Sequence, residues 1–296
     1  MSSLVSVITL TAVIFVSAVQ ASPKLLVRRA LALNDTSFTS EFPDVHGKAW
    51  VLFDADRKEI LLQKNANKRL PVASTQKLLT ALLIAEAGGL DRNITIQPSD
   101  TLPPFLRLNF KAGEVYSRRD LLQVMLVRSL NDVAAALGRD HSGSVDEFVN
   151  AMNRRAKSLD AMDSNFKNPH GLPVAGQFST ARDIAVIASA VYSNRLLREM
   201  IRCEHYMITH PRNGRLMRYS NMNSQLLRYH FCNGVKTGYT SASGHCLVAS
   251  GTWKGRNVIV VILGSDRQHI WKDSLNLLAY GLEISESDFL TLAASR

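Results

Sequence analysis

Cysteine is scarce in this 296-residue chain, which has only Cys203, Cys232 and Cys246. Because the number is odd, a disulfide framework cannot use all of them, and at least one is a free or buried thiol. Cys246 lies inside an apolar run, so we interpret it as a small core residue and assign no cysteine a catalytic role. A chain of this length can bury a substantial core without disulfides or a bound metal.

The start of the chain lacks a comfortable membrane span, and no Lys or Arg precedes its first apolar run, Leu4 to Val16. That run leads into Val19-Gln20-Ala21, a small-x-small pattern that suits signal peptidase. We therefore predict a signal peptide over residues 1–21 and export to the periplasm. An uncleaved anchor is the alternative.

Basic residues are in excess, with a net charge of +10, but they are not gathered in one block. A nucleic-acid partner is therefore not expected, although net charge alone keeps a basic nucleic-acid binder as an alternative. The charge fits an anionic polymer such as the cell wall better, or anionic lipid headgroups at a membrane surface. No metal site is expected either, since His205 and His210 lack the spacing of a zinc site.

The chain contains no internal repeats, and its patterns divide it into four parts. We predict a loosely ordered leader over 22–47, one domain over 48–285 and a C-terminal tail over 286–296, after the signal peptide. Residues 49–53 and 59–62 flank a polar turn and predict a β-hairpin. A block of helices follows, with capping patterns at Ser117, Ser144 and Thr180 and a further cap expected at Asn131-Asp132.

Strand patterns return at 234–237, 245–250 and 258–263, and a final helix is predicted over 270–282. The order is two strands, a helical block, three strands and a helix. Short links between the strands favour an antiparallel sheet whose first and last strands meet across the helical insertion.

The first candidate for chemistry is Ser74-Thr75-Gln76-Lys77, at the start of an apolar helix that ends near Gly88-Gly89. Side chains three apart share a helix face, so Lys77 can reach the Ser74 hydroxyl and act as its base once it is neutral. A second Ser-x-x-Lys, at 164–167, leads into a loop, and we interpret it as chance.

Two further motifs complete the pattern. Lys236-Thr237-Gly238 lies on a predicted strand, where a second cation can lower the pKa of Lys77 and an extended peptide can add to the strand edge. Ser129-Leu130-Asn131 lies at a break between helices; a similar triplet at 274–276 falls within a helix, after the Lys-Thr-Gly element. Each motif alone is weak, and their combination in this order is specific.

Together these motifs resemble the signature of β-lactamases and penicillin-binding proteins. Longer stretches are similar to the low-molecular-mass D-alanyl-D-alanine peptidases of family S11, namely 71–77, 168–172, 179–183 and 235–240. The segment 242–248 most resembles the DD-endopeptidases of the penicillin-binding protein 7 type. The resemblance covers about residues 48–282 and implies a β-lactamase/transpeptidase-like α/β (α+β) fold, with a five-stranded antiparallel sheet and helices on both faces.

The resemblance also implies roles for individual residues. Ser74 would be the acylated nucleophile and Lys77 its base, with proton transfer and substrate placement assisted by Ser129 and Asn131. The substrate carboxylate would be bound by Lys236 and Thr237. Substrate binding would also involve Gly238 and Tyr239, with an oxyanion hole formed by the backbone N–H groups of Ser74 and Tyr239.

The implied substrate is a D-Ala-containing peptide stem of peptidoglycan, with β-lactam antibiotics as covalent inhibitors and no cofactor. A crosslink-cleaving endopeptidase is the main hypothesis and a carboxypeptidase the alternative, since Leu130 is bulkier than the small residue usual in carboxypeptidases of this group. A β-lactamase and a non-catalytic wall-binding module are further alternatives. The first would need a Glu-x-x-x-Asn loop, and Glu147 to Asn150 is one residue short of it.

Overall fold

The computed structural model describes residues 43–294 of the chain. The predicted signal peptide, most of the predicted leader and the last two residues lie outside that range. Within it, no helix has the length and apolar character needed to cross a membrane.

Nine strands form one main sheet and two small ribbons in the described part of the chain. In chain order the strands are β1 (Ala49–Asp54), β2 (Glu59–Lys64), β3 (Asn93–Thr95), β4 (Val115–Ser117), β5 (His205–Thr209), β6 (Leu216–Ser220), β7 (Cys232–Thr240), β8 (Gly244–Trp253) and β9 (Arg256–Ser265). The α-helices are α1 (Lys77–Glu86), α2 (Arg118–Arg128), α3 (Asn131–Ser142), α4 (Val145–Ser158), α5 (Ala181–Ser193), α6 (Arg195–Ile201), α7 (Ser224–Leu227), α8 (Ile270–Gly281) and α9 (Glu286–Ala294).

The main sheet has five strands in the order β2-β1-β9-β8-β7, and all its pairs are antiparallel. The first strand pairs with the last, with Leu52 opposite Val260. This confirms the sheet that the sequence predicts. It also leaves β7, the strand with the Lys-Thr-Gly motif, at one edge of the sheet.

Alternation along β1 explains why helices cover both faces of the sheet. Val51 and Phe53 belong to the core shared with helices α1 to α6, whereas Trp50 and Leu52 belong to the core shared with α8. Because successive side chains of a strand point to opposite faces, one fully buried strand serves both cores. The mixed fold with helices on both faces is therefore confirmed.

The predicted helix starts at Ser117, Ser144 and Thr180 are confirmed. Each of these side chains accepts a hydrogen bond from the backbone N–H three residues later, which satisfies a donor that the first helical turn leaves free. The cap expected at Asn131-Asp132 is wrong: α3 begins at Asn131 itself, and Leu130 occupies the N-cap without a side-chain bond. Both polar side chains make other contacts, described below.

Several short elements have no counterpart in the sequence-based description, among them α6 and the β5–β6 hairpin. At the end of the chain, residues predicted as a tail include helix α9, whose Phe289 is buried against Tyr229 and Phe231. The predicted domain boundaries remain predictions.

Candidate active site

Ser74 lies in a 3₁₀ turn, Ala73–Gln76, that leads directly into α1. The turn begins with Ala73 at a φ of 48°, a left-handed conformation that is costly for a residue with a Cβ atom. The Thr75 hydroxyl donates to the Val72 carbonyl at 2.7 Å and secures the turn. The predicted helix start is thus correct, with a tighter first turn than a regular α-helix has.

Lys77 is fully buried, and its Nζ has three oxygen atoms within hydrogen-bond distance. They are the Ser74 Oγ at 2.9 Å, the Asn131 Oδ1 at 2.8 Å and the His170 carbonyl at 2.6 Å. The two carbonyl-type oxygens can only accept. A neutral amine would therefore donate both of its hydrogens to them and direct its lone pair at the Ser74 hydroxyl.

The electrostatic surroundings favour that neutral amine. Burial lowers the pKa of Lys77 well below its ordinary value, and the charge of Lys236 lowers it further, against an opposing effect of Asp132. Burial also lowers the pKa of Lys236, to about 7. The charge of Lys236 thus acts on Lys77, as the sequence predicts for a second cation near it.

Ser129 and Asn131 are brought to the site by the break between α2 and α3. Ser129 ends α2 in a left-handed conformation, φ 66°, and its buried Oγ has no hydrogen-bond partner among the described residues. Asn131 contacts Lys77 through its Oδ1, and its Nδ2 donates to the carbonyls of Pro104 and Phe105 at 3.0 and 3.1 Å. The amide therefore links Lys77 to the loop that precedes β4.

Strand β7 brings the remaining predicted residues alongside the turn. The Nζ of Lys236 is buried and donates to the Thr237 carbonyl at 2.9 Å. A Cβ atom added at Gly238 would lie 2.8 Å from the Ser74 backbone N, so only glycine allows this approach. Tyr239 is 61% exposed and its ring lies 4.5 Å from that of His245.

The loop at 168–172 closes the site from the other side. A Cβ atom at Gly171, where φ is +90°, would lie 2.0 Å from the Ala73 carbonyl oxygen. Thr80 of α1 donates to the Pro169 carbonyl at 2.7 Å, and the Asn168 side chain accepts from the N–H of Gly171 at 2.7 Å. The loop is therefore fixed to the helix that carries Lys77.

His170 contributes its backbone carbonyl to the site rather than its ring. Its ring accepts the Leu172 N–H at 3.3 Å, and burial together with the charge of Lys77 lowers its pKa to about 3. The ring is thus neutral, and its role is to support the loop. Among the described residues, no group of three His, Cys, Asp or Glu side chains is arranged to hold a metal ion.

Sequence reasoning missed Asp132, which is fully buried beside Asn131. Its carboxylate accepts the N–H groups of Leu108 and Asn109, both at 3.0 Å, and burial raises its pKa. The sequence did contain a signal at this place, two adjacent polar residues at a helix start, but that pattern predicted a helix cap. The structure uses both side chains to hold the preceding loop.

The other motif copies lie in purely structural settings. Ser164 bonds to Ser179 and Asp183 at 2.7 and 2.6 Å, and Ser274 donates to the Ile270 carbonyl within α8. All three cysteines are free thiols, and burial raises the pKa of Cys246 to about 11, as suits an inert core residue.

A cavity of about 300 Å³ adjoins the Ser74 turn, between the loop after His170 and the end of β7. Its wall is uncharged and consists of Pro71, Val72, Ala73, Gly171, Pro173, Val174, Ala175, Gln177, Thr240 and Ala242.

Comparison with known proteins identifies the family of the chain. The family model described as D-alanyl-D-alanine carboxypeptidase, Peptidase_S11, matches residues 36–267. The chain belongs to this family. The S11 resemblance inferred from the motifs is therefore confirmed at the level of the family.

Curated relatives of the S11 family carry two different names. D-alanyl-D-alanine carboxypeptidase DacC of Escherichia coli is 32% identical over 265 residues, covering 84% of this chain and 64% of that protein. The D-alanyl-D-alanine endopeptidase of Escherichia coli is 28% identical over 242 residues, covering 79% and 76%. The chain spans 61 to 64% of the length of the carboxypeptidases DacC, DacF and DacD that it matches.

Solved structures share the fold. The D-alanyl-D-alanine carboxypeptidase of Mycobacterium tuberculosis H37Rv is 28% identical, with a TM-score of 0.77 over 83% of this chain and 94% of that one. Penicillin binding protein 6B of Escherichia coli is 29% identical, with a TM-score of 0.73 over 83% and 80%. The penicillin-binding type of fold is thus established for this S11 chain.

Proposed function

We propose that this chain is an exported serine DD-peptidase that hydrolyses D-Ala-containing peptide bonds of peptidoglycan through an acyl-enzyme on Ser74. The observation that carries the proposal is the position of Lys77. Its Nζ lies 2.9 Å from the Ser74 Oγ, and two acceptor-only carbonyls take up the hydrogens of the neutral amine. A buried amine arranged in this way is a base for one hydroxyl.

Acylation would begin with transfer of the Ser74 proton to the lone pair of Lys77. The Oγ then attacks the carbonyl carbon of the scissile bond, and the carbonyl oxygen becomes an oxyanion. When the C–N bond breaks, the leaving amine takes up a proton, and the acyl group remains esterified to Ser74. The roles of Ser74 and Lys77 rest on the family resemblance together with this geometry.

The proposed oxyanion hole consists of the backbone N–H groups of Ser74 and Tyr239. Two observations support it: β7 is the edge strand of the sheet, and Gly238 allows the strand to approach the turn closely. Such fixed donors contribute roughly 3–4 kcal/mol each to acyl transfer. Next to them, Lys236 and Thr237 would bind the substrate's carboxylate.

Ser129 is the proposed relay that carries the proton to the leaving amine. A buried hydroxyl without a partner costs about 1–3 kcal/mol, so its retention at this position suits a group that bonds during the reaction. Asn131 is proposed to hold Lys77 in place and to orient the substrate.

A crosslink-cleaving endopeptidase is the main proposal, and trimming of pentapeptides by a carboxypeptidase is the alternative. The names of the relatives support both.

For a β-lactamase, a carboxylate would have to activate the deacylating water, and Glu147 to Asn150 instead lie in α4 with Phe148 fully buried. We therefore propose slow release of bound penicillin. A non-catalytic module has no support, since Ser74 and Lys77 are both in place.

The proposed location is the periplasm, with the signal peptide removed and peripheral contact with the membrane surface. The proposed partners are peptidoglycan peptide stems and β-lactam antibiotics, with roles in cell-wall biogenesis and cell shape. The basic net charge supports attraction to an anionic surface.

Digestion of purified crosslinked muropeptide dimers tests the proposal. Release of monomers with both stems otherwise intact is the expected result for an endopeptidase. Loss of one D-Ala per stem, with the crosslink retained, would identify the carboxypeptidase instead. A Ser74→Ala variant serves as the control, and hydrolysis by that variant at the wild-type rate would contradict the proposed mechanism.

A further inference from the structure

The β5–β6 hairpin, residues 205–220, is here named the basic hairpin. It contains Arg212, Arg215 and Arg218 but no Asp or Glu. Its strands pair in the register Met207 opposite Arg218. The hairpin therefore has a fixed inward face, a fixed outward face and a charge of one sign.

The inward face fixes the basic hairpin to the domain. Ile208 is buried, and Met217 and Tyr219 pack against the core of the helical side. The Tyr206 hydroxyl donates to Asp120 of α2 at 2.6 Å. A hairpin held in this way exposes its other face to solvent.

The outward face carries two large aliphatic side chains in water. Met207 is 59% exposed and Leu216 is 63% exposed. They are diagonal neighbours on the same face: Met207 lies directly opposite Arg218, and Leu216 lies two residues before Arg218 on β6. The solvent face of an antiparallel ribbon is ordinarily polar, so adjacent exposed aliphatic residues indicate a binding surface.

Two of the three arginines of the basic hairpin are not neutralised by an ion pair with another described residue. Arg212 forms an ion pair with Glu114 at 2.8 Å, but Arg215 and Arg218 form none within residues 43–294. Arg218 lies opposite Met207 on the outward face, and the exposed Arg215 directly precedes Leu216 in the turn, so both unpaired cations are close in the hairpin to the two aliphatic residues. This combination is complementary to a surface that offers anionic groups above an apolar layer.

We infer that the basic hairpin binds the headgroup region of an anionic lipid bilayer. Met207 and Leu216 enter the boundary of the acyl chains, while Arg215 and Arg218 bind lipid phosphates. A soluble polyanion would use the arginines but leave the aliphatic side chains in water, and a second copy of this surface would bring like charges together. The inference rests on the export and membrane contact proposed above, not on the chemistry of Ser74.

Vesicle sedimentation tests the inference with the purified full chain. Vesicles of phosphatidylglycerol and phosphatidylcholine in equal amounts are compared with phosphatidylcholine alone. We expect binding only to the anionic vesicles. Arg215→Gln with Arg218→Gln, and separately Met207→Ser with Leu216→Ser, should each lower the partition coefficient by about tenfold or more.

Matched controls remove the same charge or the same side chain elsewhere. Arg154→Gln with Lys157→Gln, at exposed positions of α4, and Met162→Ser, which is 65% exposed in the wild type, should retain binding within about twofold. Equal losses in hairpin and control variants would overturn the inference, because they would indicate net charge alone or another segment. Loss from the arginine changes but not from the aliphatic ones would overturn it, because binding would then be purely electrostatic, as for a soluble polyanion.

The rate of acylation by labelled penicillin separates this inference from the proposed function. It should be unchanged in every hairpin variant, since none of these side chains contacts Ser74 or Lys77. Absence of acylation in the wild type would refute the proposed function and leave the vesicle result standing. Normal acylation with no vesicle binding would refute the inference alone.

Discussion

A substitution at Gly171 tests how the Ser74 turn is held in place. In Gly171→Ala the new Cβ atom would lie 2.0 Å from the Ala73 carbonyl oxygen and 2.9 Å from the Ser74 N. The left-handed φ of +90° adds about 1–2 kcal/mol for any residue with a Cβ atom. Overpacking against backbone adds a further 1–3 kcal/mol or so. We therefore expect a loss of about 2–5 kcal/mol in the free energy of unfolding.

Gly176 provides the matched control, because its φ is +77° but no atom lies within 4 Å of an added Cβ. Gly176→Ala should lose only the conformational part, about 1–2 kcal/mol. Urea unfolding measures both variants, and labelled penicillin measures acylation. Displacing the Ser74 turn should slow acylation about a hundredfold or more in Gly171→Ala, with little change in Gly176→Ala. Equal stability and equal acylation in the two variants would refute the argument.

Three further outcomes follow from the site. Acylation should increase as pH rises through the lowered pKa of Lys77. The kcat/KM for substrates with a free carboxylate should fall above about pH 7, where Lys236 loses its charge. A pH profile of kcat/KM without this alkaline decrease would contradict the proposed role of Lys236. Ser129→Ala should leave the free energy of unfolding unchanged or raise it by roughly 1 kcal/mol, because the hydroxyl has no partner among the described residues. The same variant should acylate more slowly. A clear loss of stability would contradict this prediction. Lys236→Met should be more stable than the wild type at pH 7, by an amount on the order of a few kcal/mol. In the wild type the unfolded chain holds the protons of Lys236 and Lys77 more tightly than the folded chain does, so each lysine adds to a rise in stability with pH. The part due to Lys236, between about pH 7 and 10, should be missing in Lys236→Met, and an undiminished rise in that variant would contradict the assignment.

Much of the fold could be predicted from local patterns. The alternation in β1, the capping residues at Ser117 and Thr180, and short links between the last strands each have a direct physical cause. Helix α6 and the basic hairpin were missed for equally direct reasons. The first is only seven residues long, and the second exposes aliphatic side chains where an alternating pattern would have polar ones.

The three motifs predicted which side chains would meet, but not which acceptors would surround the Nζ of Lys77. The His170 carbonyl is a backbone group, and backbone groups leave no mark in a sequence. The loop contacts of Asn131 and Asp132 could not be predicted, because their partners lie more than twenty residues earlier in the chain. The close approach at Gly171 depends on the tertiary arrangement of the loop and the turn, which no local pattern encodes.

We propose above all that Ser74 is the nucleophile that becomes acylated and that Lys77 is its base. The most direct test is mass spectrometry of the intact chain after incubation with penicillin, followed by peptide mapping. We predict one adduct per chain, located on Ser74, absent from Ser74→Ala and greatly slowed in Lys77→Ala. No adduct on the wild type, or an adduct that persists in Ser74→Ala, would contradict the account.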